Sequence, residues 1–255
     1  MKLPPLLVVA LAAKIVALAL WLAGAKPSLA VACFVAPDPL VLWALFVPSA
    51  QGLVRVFTHF ATDRREVWLT IDDGPDPEDT PRLLDLLDRH GARATFFVIG
   101  ERAARHPEII REIVRRGHEV AHHTHTHPLG TFWCAGPRRL AAELDRALTA
   151  LGEAGVKPRW FRPPTGIKHL LIGSALASRD LKCVGWTVRS GDSRAGSAEE
   201  VVRRVAPQLR PGAIVLVHEG PRLGAVVRVQ AIARVLESCA HRGFACVIPR
   251  ADQLR

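Results

Sequence analysis

From Glu66 onward, short apolar runs alternate with longer amphipathic ones along this 255-residue chain. VWLTI (67–71) has the length and composition of a strand. TPRLLDLLDRHG (80–91) spaces its leucines for a helix, with Thr80 as N-cap, Pro81 at the first helical position and Gly91 as the stop. ATFFVIG (94–100) predicts the next strand, HPEIIREIVRRG (106–117) a helix ended by Gly117, and HEVAHH (118–123) a strand. The alternation continues with a helix over 138–153, strand RWFRPP (159–164), a helix from about Lys168, and strand CVGWTV (183–188). A helix from Ser197, strand AIVLVH (213–218), another long helix and strand FACVI (244–248) complete it. This order predicts an α/β fold, a distorted (β/α) barrel of about seven parallel strands.

The front of the chain has a different pattern. Residues 3–25 form an apolar run of about 23 residues interrupted only by Lys14, long enough to span a bilayer. A second apolar stretch, 28–48, is broken by Pro37-Asp38-Pro39 and reads as a kinked span or as two short interfacial segments. A signal peptide competes for the first run, but two apolar segments in succession favour a retained anchor in the cytoplasmic membrane. The expected organisation is a membrane-anchor region over 1–50, a linker over 51–65 and one catalytic domain over 66–255. If both segments span, Lys2 lies on one side with Arg55, Arg64 and Arg65, and Lys26 on the other. The positive-inside tendency then puts the large domain on the cytoplasmic face, whereas a single span puts it outside.

Composition adds two constraints. Hydrophobic content of 49% implies a substantial core, and a net charge of +10 favours anionic surfaces such as phospholipid headgroups or phosphorylated glycolipids. Basic residues are not interleaved with aromatics and Tyr is absent, so nucleic acid is not an expected partner. The five cysteines have neither CxxC spacing nor the pattern of a disulfide scaffold; buried free thiols are expected.

Chemistry-bearing residues gather at the strand ends, where parallel β/α folds place their active sites. Asp72 and Asp73 follow one strand, HHTHTHP (122–128) a second, Arg162 a third and Asp192 a fourth, while His218 ends a fifth. Within HHTHTHP, a helix would align His123 with His127, and a strand would align His123, His125 and His127. Asp-Asp-Gly-Pro is also good turn chemistry in its own right.

Four motifs in this order resemble the polysaccharide deacetylases with a NodB homology domain, carbohydrate esterase family 4. They are LTIDDGP (69–75), HEVAHHTHTHP (118–128), FRPPTG (161–166) and VLVH (215–218). The resemblance implies a metal-dependent hydrolase that removes an N-acyl group, in particular acetyl, from an amino sugar. It implies Asp73, His123 and His127 as ligands of one divalent cation, with zinc expected from an open site of one carboxylate and two imidazoles. Non-haem iron oxygenases use the same set, so the ligands alone do not identify the metal, and a metal-dependent oxidase is a second reading. The resemblance further implies Asp72 as general base, kept ionised by Arg162, and His218 as general acid. Thr165 stands where the family often has Tyr and would offer its backbone N–H to the oxyanion; Pro163 and Pro164 flank it at the substrate. Asp192 would orient and charge His218, in a stretch that departs from the family's DxxDW: Arg189 replaces its first Asp and Ser193 its Trp. His122 and His125 are expected to be bystanders or to tune the ligands. The short link to the anchor favours a membrane glycolipid or lipid-linked glycan as substrate, ahead of peptidoglycan or a chitin-like oligosaccharide. A non-catalytic, membrane-tethered carbohydrate-binding relative is the alternative of another class.

Overall fold

The computed structural model describes residues 3–220 and 228–255; Lys2 lies outside them. Three apolar helices come first: α1 (Pro5–Leu22), α2 (Pro27–Val35) and α3 (Asp38–Phe46). α1 packs against α2, and α2 and α3 together make a second apolar stretch, Pro27–Phe46, long enough to cross a membrane. The Pro37-Asp38-Pro39 interruption is a kink that serves a purpose: Asp38 receives Lys14 Nζ at 2.8 Å, pairing the one charge within α1. The outer faces of these helices stay uncovered, with Trp21 58% and Leu22 77% exposed.

The remaining elements, in chain order, are β1 (Val56–Phe57), β2 (Glu66–Asp72), α4 (Asp79–Arg89), β3 (Ala94–Val98), α5 (Gly100–Arg105), α6 (Pro107–Arg115), β4 (Glu119–His122) and α7 (Pro137–Glu153). Then follow β5 (Trp160–Phe161), α8 (Ile172–Ala177), β6 (Lys182–Val184), β7 (Val188–Arg189), α9 (Ala198–Val205), β8 (Ala213–His218), α10 (Arg228–His241) and β9 (Ala245–Cys246). All strand pairs are parallel, in the order β1-β6-β5-β4-β3-β2-β8-β7, with β9 pairing the start of β2. The result is a curled half-barrel. β2, β3 and β8 are buried along nearly their whole length, as expected for a parallel sheet covered on both faces.

Among the described residues there are nine strands where about seven were expected, for two physical reasons. The 51–65 stretch contributes β1, which pairs with β6, so it is part of the sheet rather than a free link. CVGWTV breaks at Gly185-Trp186-Thr187 into β6 and β7, which lie toward opposite ends of the strand order. Three residues reach only about 10 Å, so the sheet must curl until those ends nearly meet. Gly185 N then donates to Phe57 O on one side and Thr187 N to Ile214 O on the other.

Other local expectations shift as well. Thr80 is not the N-cap of α4 but lies inside its first turn, where its hydroxyl accepts from Asp76 N and donates to Glu219 Oε2. α8 begins at Ile172, not near Lys168, because Lys168 is used elsewhere: its backbone N–H donates to Leu45 O and its Nζ to Val47 O. This lysine, fully buried, caps the C-terminal carbonyls of α3 and fastens the apolar helices to the domain. Of the five free cysteines, Cys183, Cys239 and Cys246 are buried, whereas Cys134 is exposed and Cys33 half-buried.

Candidate active site

Five strand exits build one cleft at the C-terminal edge of the sheet. β2 ends in Asp72, and Asp73 follows in the left-handed region at φ 75°. That conformation breaks the alternation of an extended chain, so both carboxylates line the same cleft. Arg102 donates to Asp73 O at 2.7 Å and holds the turn. The next residue is glycine, and a Cβ on Gly74 would overlap the end of the Glu219 side chain, which would have to move.

Past β4 the histidine segment is neither helix nor strand. It is a turn with Thr124 at φ 63° and His127 at φ 54°, which folds His127 back onto His123 until their Nε2 atoms are 3.1 Å apart. Such strained backbone persists only where its surroundings over-determine it, and here α7 supplies them. The buried Glu143 carboxylate accepts from His125 N, Thr126 N and Thr126 Oγ1 at 3.0, 2.9 and 2.6 Å. His122 is fully buried, donating from Nε2 to Leu144 O and accepting Thr124 N at Nδ1. Burial holds its pKa down at about 4. His125 is buried beside Gly100, outside the cleft lining. Neither is solvent-exposed, and neither joins the converging ligand atoms.

Those atoms come from Asp73, His123 and His127. His123 Nδ1 donates to Arg162 O at 2.7 Å, which leaves the Nε2 lone pair facing the cleft. Asp73 Oδ1 is buried without a hydrogen bond, 3.5 Å from His123 Nε2 and 3.2 Å from His127 Nε2. Separations of 3.1–3.5 Å match the edge of a tetrahedron with bonds of 2.0–2.1 Å, about 3.3 Å, so the three residues present fit a small divalent cation.

β5 delivers Arg162, which is fully buried rather than a surface cation. Its guanidinium donates to Asp72 Oδ1 at 2.6 Å, to Thr70 Oγ1 and to the carbonyls of Val184 and Gly185, and it lies 4.1 Å from the centroid of the Phe97 ring. Pro163 and Thr165 line the cleft and Pro164 begins a short 3₁₀ turn, with Thr165 at φ 58°. Gly166 beside it has no room for a Cβ between Trp186 and Pro48, the latter just past the end of α3.

Across the cleft, His218 Nδ1 donates to Asp192 Oδ1 at 2.7 Å, and His218 N donates to Asp192 Oδ2 at the same distance. Burial pushes the His218 pKa down, but Asp192, Asp72 and Asp73 together raise it to about 9, so the ring is an imidazolium at neutral pH. Asp192 is lowered in turn: burial opposes the charge of His218 and loses.

Four buried carboxyls, Asp76, Asp79, Glu143 and Glu219, have no place among the sequence-based expectations. Glu143 breaks the apolar stripe Leu140, Leu144, Ala147 on the inner face of α7, a signal that was available. Glu219 follows His218, donates its backbone N–H to Asp72 O, and is raised to about 8 by burial and by Asp76 and Asp79, against the hydrogen bond from Thr80. No pattern around it marks that role.

A family model described as polysaccharide deacetylase matches residues 60–184. A chitooligosaccharide deacetylase of Bradyrhizobium sp. (strain ANU 289) is 42% identical over 158 residues, 61% of this chain and 71% of that protein. Its counterpart in Sinorhizobium fredii is 37% identical over 202 residues, 75% of this chain and 93% of that protein. Among solved structures, the Bc1960 peptidoglycan N-acetylglucosamine deacetylase superposes with a TM-score of 0.67 at 29% identity, covering 74% of this chain and 88% of that one.

Proposed function

Because the chain belongs to the polysaccharide deacetylase family, we propose that its cleft hydrolyses the N-acetyl amide of an amino sugar in a membrane glycolipid or lipid-linked glycan. The observation that carries the reaction is the meeting, in one cleft, of a ligand triad beside a buried carboxylate with an imidazolium opposite. Asp73, His123 and His127 would hold the cation, zinc by the chemistry of the set. Bound there, it would lower the pKa of water and polarise the acyl oxygen. Asp72 takes the proton of the attacking water. Arg162 occupies its Oδ1 and fixes the carboxylate, leaving Oδ2 on the His123 side, 3.7 Å from Nε2. The backbone N–H of Thr165 stands ready for the oxyanion. His218 then gives a proton to the departing amine nitrogen, and Asp192 keeps the ring oriented and charged. The completeness of this machinery argues against a non-catalytic carbohydrate-binding role.

The membrane assignment is supported by where the apolar helices end. Phe46 of α3 packs on Trp133 in the loop that follows the histidine turn, with ring centroids 5.5 Å apart, and Pro48 abuts Gly166 at the cleft. The two apolar stretches would anchor the protein in the cytoplasmic membrane with the cleft at the bilayer surface. Arg55, Arg64 and Arg65 favour the cytoplasmic face. A cell-wall polymer such as peptidoglycan or a chitin-like oligosaccharide is the second substrate reading, supported by the names of the relatives.

The test is acetate release by the zinc-loaded full chain in lipid nanodiscs, under anoxia, from N-acetylglucosamine glycolipids and from chitin oligosaccharides. Stoichiometric acetate without oxygen excludes the oxidase reading, and a higher kcat/KM on the glycolipid supports the membrane substrate. Asp72→Asn should keep its zinc and lose turnover by on the order of 10²–10⁴-fold; normal turnover at full zinc occupancy removes Asp72 as the base.

A further inference from the structure

The cleft contains one feature that amide hydrolysis does not use. Arg189, the last residue of β7, and Arg194, on the loop that follows, both line it. Both are exposed, and among the described residues neither guanidinium has an ion pair, a hydrogen bond or an aromatic ring beside it. The other charged groups on that wall are committed: Asp72 to Arg162, Asp192 to His218, and Asp73 to the ligand triad. Arg204 rigidifies the loop from behind, donating to Gly191 O at 3.0 Å while pairing with Glu200. Arg189 also stands where the resembling family motif carries an Asp, a reversal of charge at the mouth. Two unpaired guanidiniums at this edge offer N–H donors and positive charge to a phosphate or carboxylate, and a neutral N-acetylglucosamine chain has neither. The cleft itself, about 220 Å³, is smaller than the 300–1,000 Å³ of pockets that enclose whole ligands. A cleft of that size suits one acylated sugar unit, with whatever it is attached to left for this rim.

Resting on the deacetylase reading above, we propose that Arg189 and Arg194 form an anion subsite that binds the phosphate ester of a glycosyl phosphate, selecting an amino sugar carried on a phospholipid-type anchor over neutral oligosaccharides. The anionic group of the substrate and an anionic lipid headgroup share this chemistry, so the test separates them. Equilibrium binding to the zinc-loaded full chain in detergent is measured by calorimetry for N-acetylglucosamine 1-phosphate and for N-acetylglucosamine. In parallel, association with phosphatidylglycerol vesicles is measured by flotation. The phosphorylated sugar should bind about tenfold tighter or more. In R189A/R194A that ratio should fall toward one, and in R189K/R194K part of it should return. A ratio that survives R189A/R194A means that phosphate is read by the metal centre, and overturns the subsite. Loss of vesicle flotation with an unchanged ratio assigns the arginines to the bilayer and overturns it equally. Because binding is read without turnover, an inactive preparation counts against the deacetylase reading and leaves the subsite to be decided by the ratio.

Discussion

Two histidines face each other across the cleft, and their hydrogen-bond partners differ in kind. His123 presents Nδ1 to a backbone carbonyl, Arg162 O, and His218 presents Nδ1 to a carboxylate, Asp192. A carbonyl fixes the tautomer without adding charge, so Nε2 of His123 is a neutral lone pair suited to a cation. A carboxylate rewards the second proton, so His218 is an acid with its pKa raised to about 9. On the proposed mechanism, the partner on the far nitrogen is what separates a ligand histidine from a proton donor in this cleft. The walls differ accordingly: strained turns and Glu143 clamp the metal side, while the acid side opens onto the two unpaired arginines.

The comparison breaks most visibly at His127. His127→Ala removes one of three ligands and should empty the site, with kcat/KM down by on the order of 10³-fold or more. Zinc content after dialysis checks it, and a full complement of zinc would remove His127 from the ligand set. Asp192→Asn is the matching blow on the other side. Zinc should stay, but His218 loses the charge that raised its pKa against burial, so the imidazolium is lost earlier as pH rises. In the wild type the alkaline limb of kcat/KM should lie no higher than about 9, because a bound cation would neutralise Asp73's share of the rise. In the variant it should move below about 7, with rates at pH 8 down roughly 10- to 100-fold. An unmoved limb would mean that Asp192 does not charge the acid.

The β/α order and the strand ends that converge on the cleft were legible because buried parallel strands read as apolar runs and the motifs lie at their ends. The departures were tertiary. CVGWTV looks like one strand because nothing local shows that its halves pair with opposite ends of a curled sheet. The choice among four histidines rested on the resemblance, since the turn that brings His123 to His127 needs left-handed backbone at Thr124 and His127 that neither residue type announces. Thr80 looked like a cap because Ser and Thr cap helices, yet a buried partner 139 residues away claimed its hydroxyl. The seating of Phe46 on Trp133 depends on how two distant segments pack and leaves no periodic trace.

The clamp on the metal side can be loosened without touching a ligand. Glu143→Gln keeps the shape but cannot accept all three hydrogen bonds, so the 124–127 turn should relax. Zinc affinity should weaken by about 10- to 100-fold, the scale of supporting groups behind ligands, while the pH limb set by His218 stays put. Titration against a competing chelator reads the first, and the pH profile the second. A moved limb would mean that the two walls are not independent.

The smallest effect on turnover is expected at the residue the walls share. Glu219 donates its backbone N–H to Asp72 O, follows His218 directly, and fills the space left by Gly74. Its pKa, raised from 4.5 to about 8 chiefly by burial, means that the native protein keeps a proton the unfolded chain has released. Its contribution to stability is therefore full below about pH 4.5 and is lost as pH rises through 8. Glu219→Gln supplies a permanently neutral side chain of the same size. Activity at pH 7 should stay within about twofold, and the alkaline fall in melting temperature should flatten by a few degrees between pH 6 and 9. Equal pH slopes in the two proteins would show that Glu219 is ionised in the fold, in which case the wedge under the Asp72-Asp73 turn is a charge and the two walls are coupled through it.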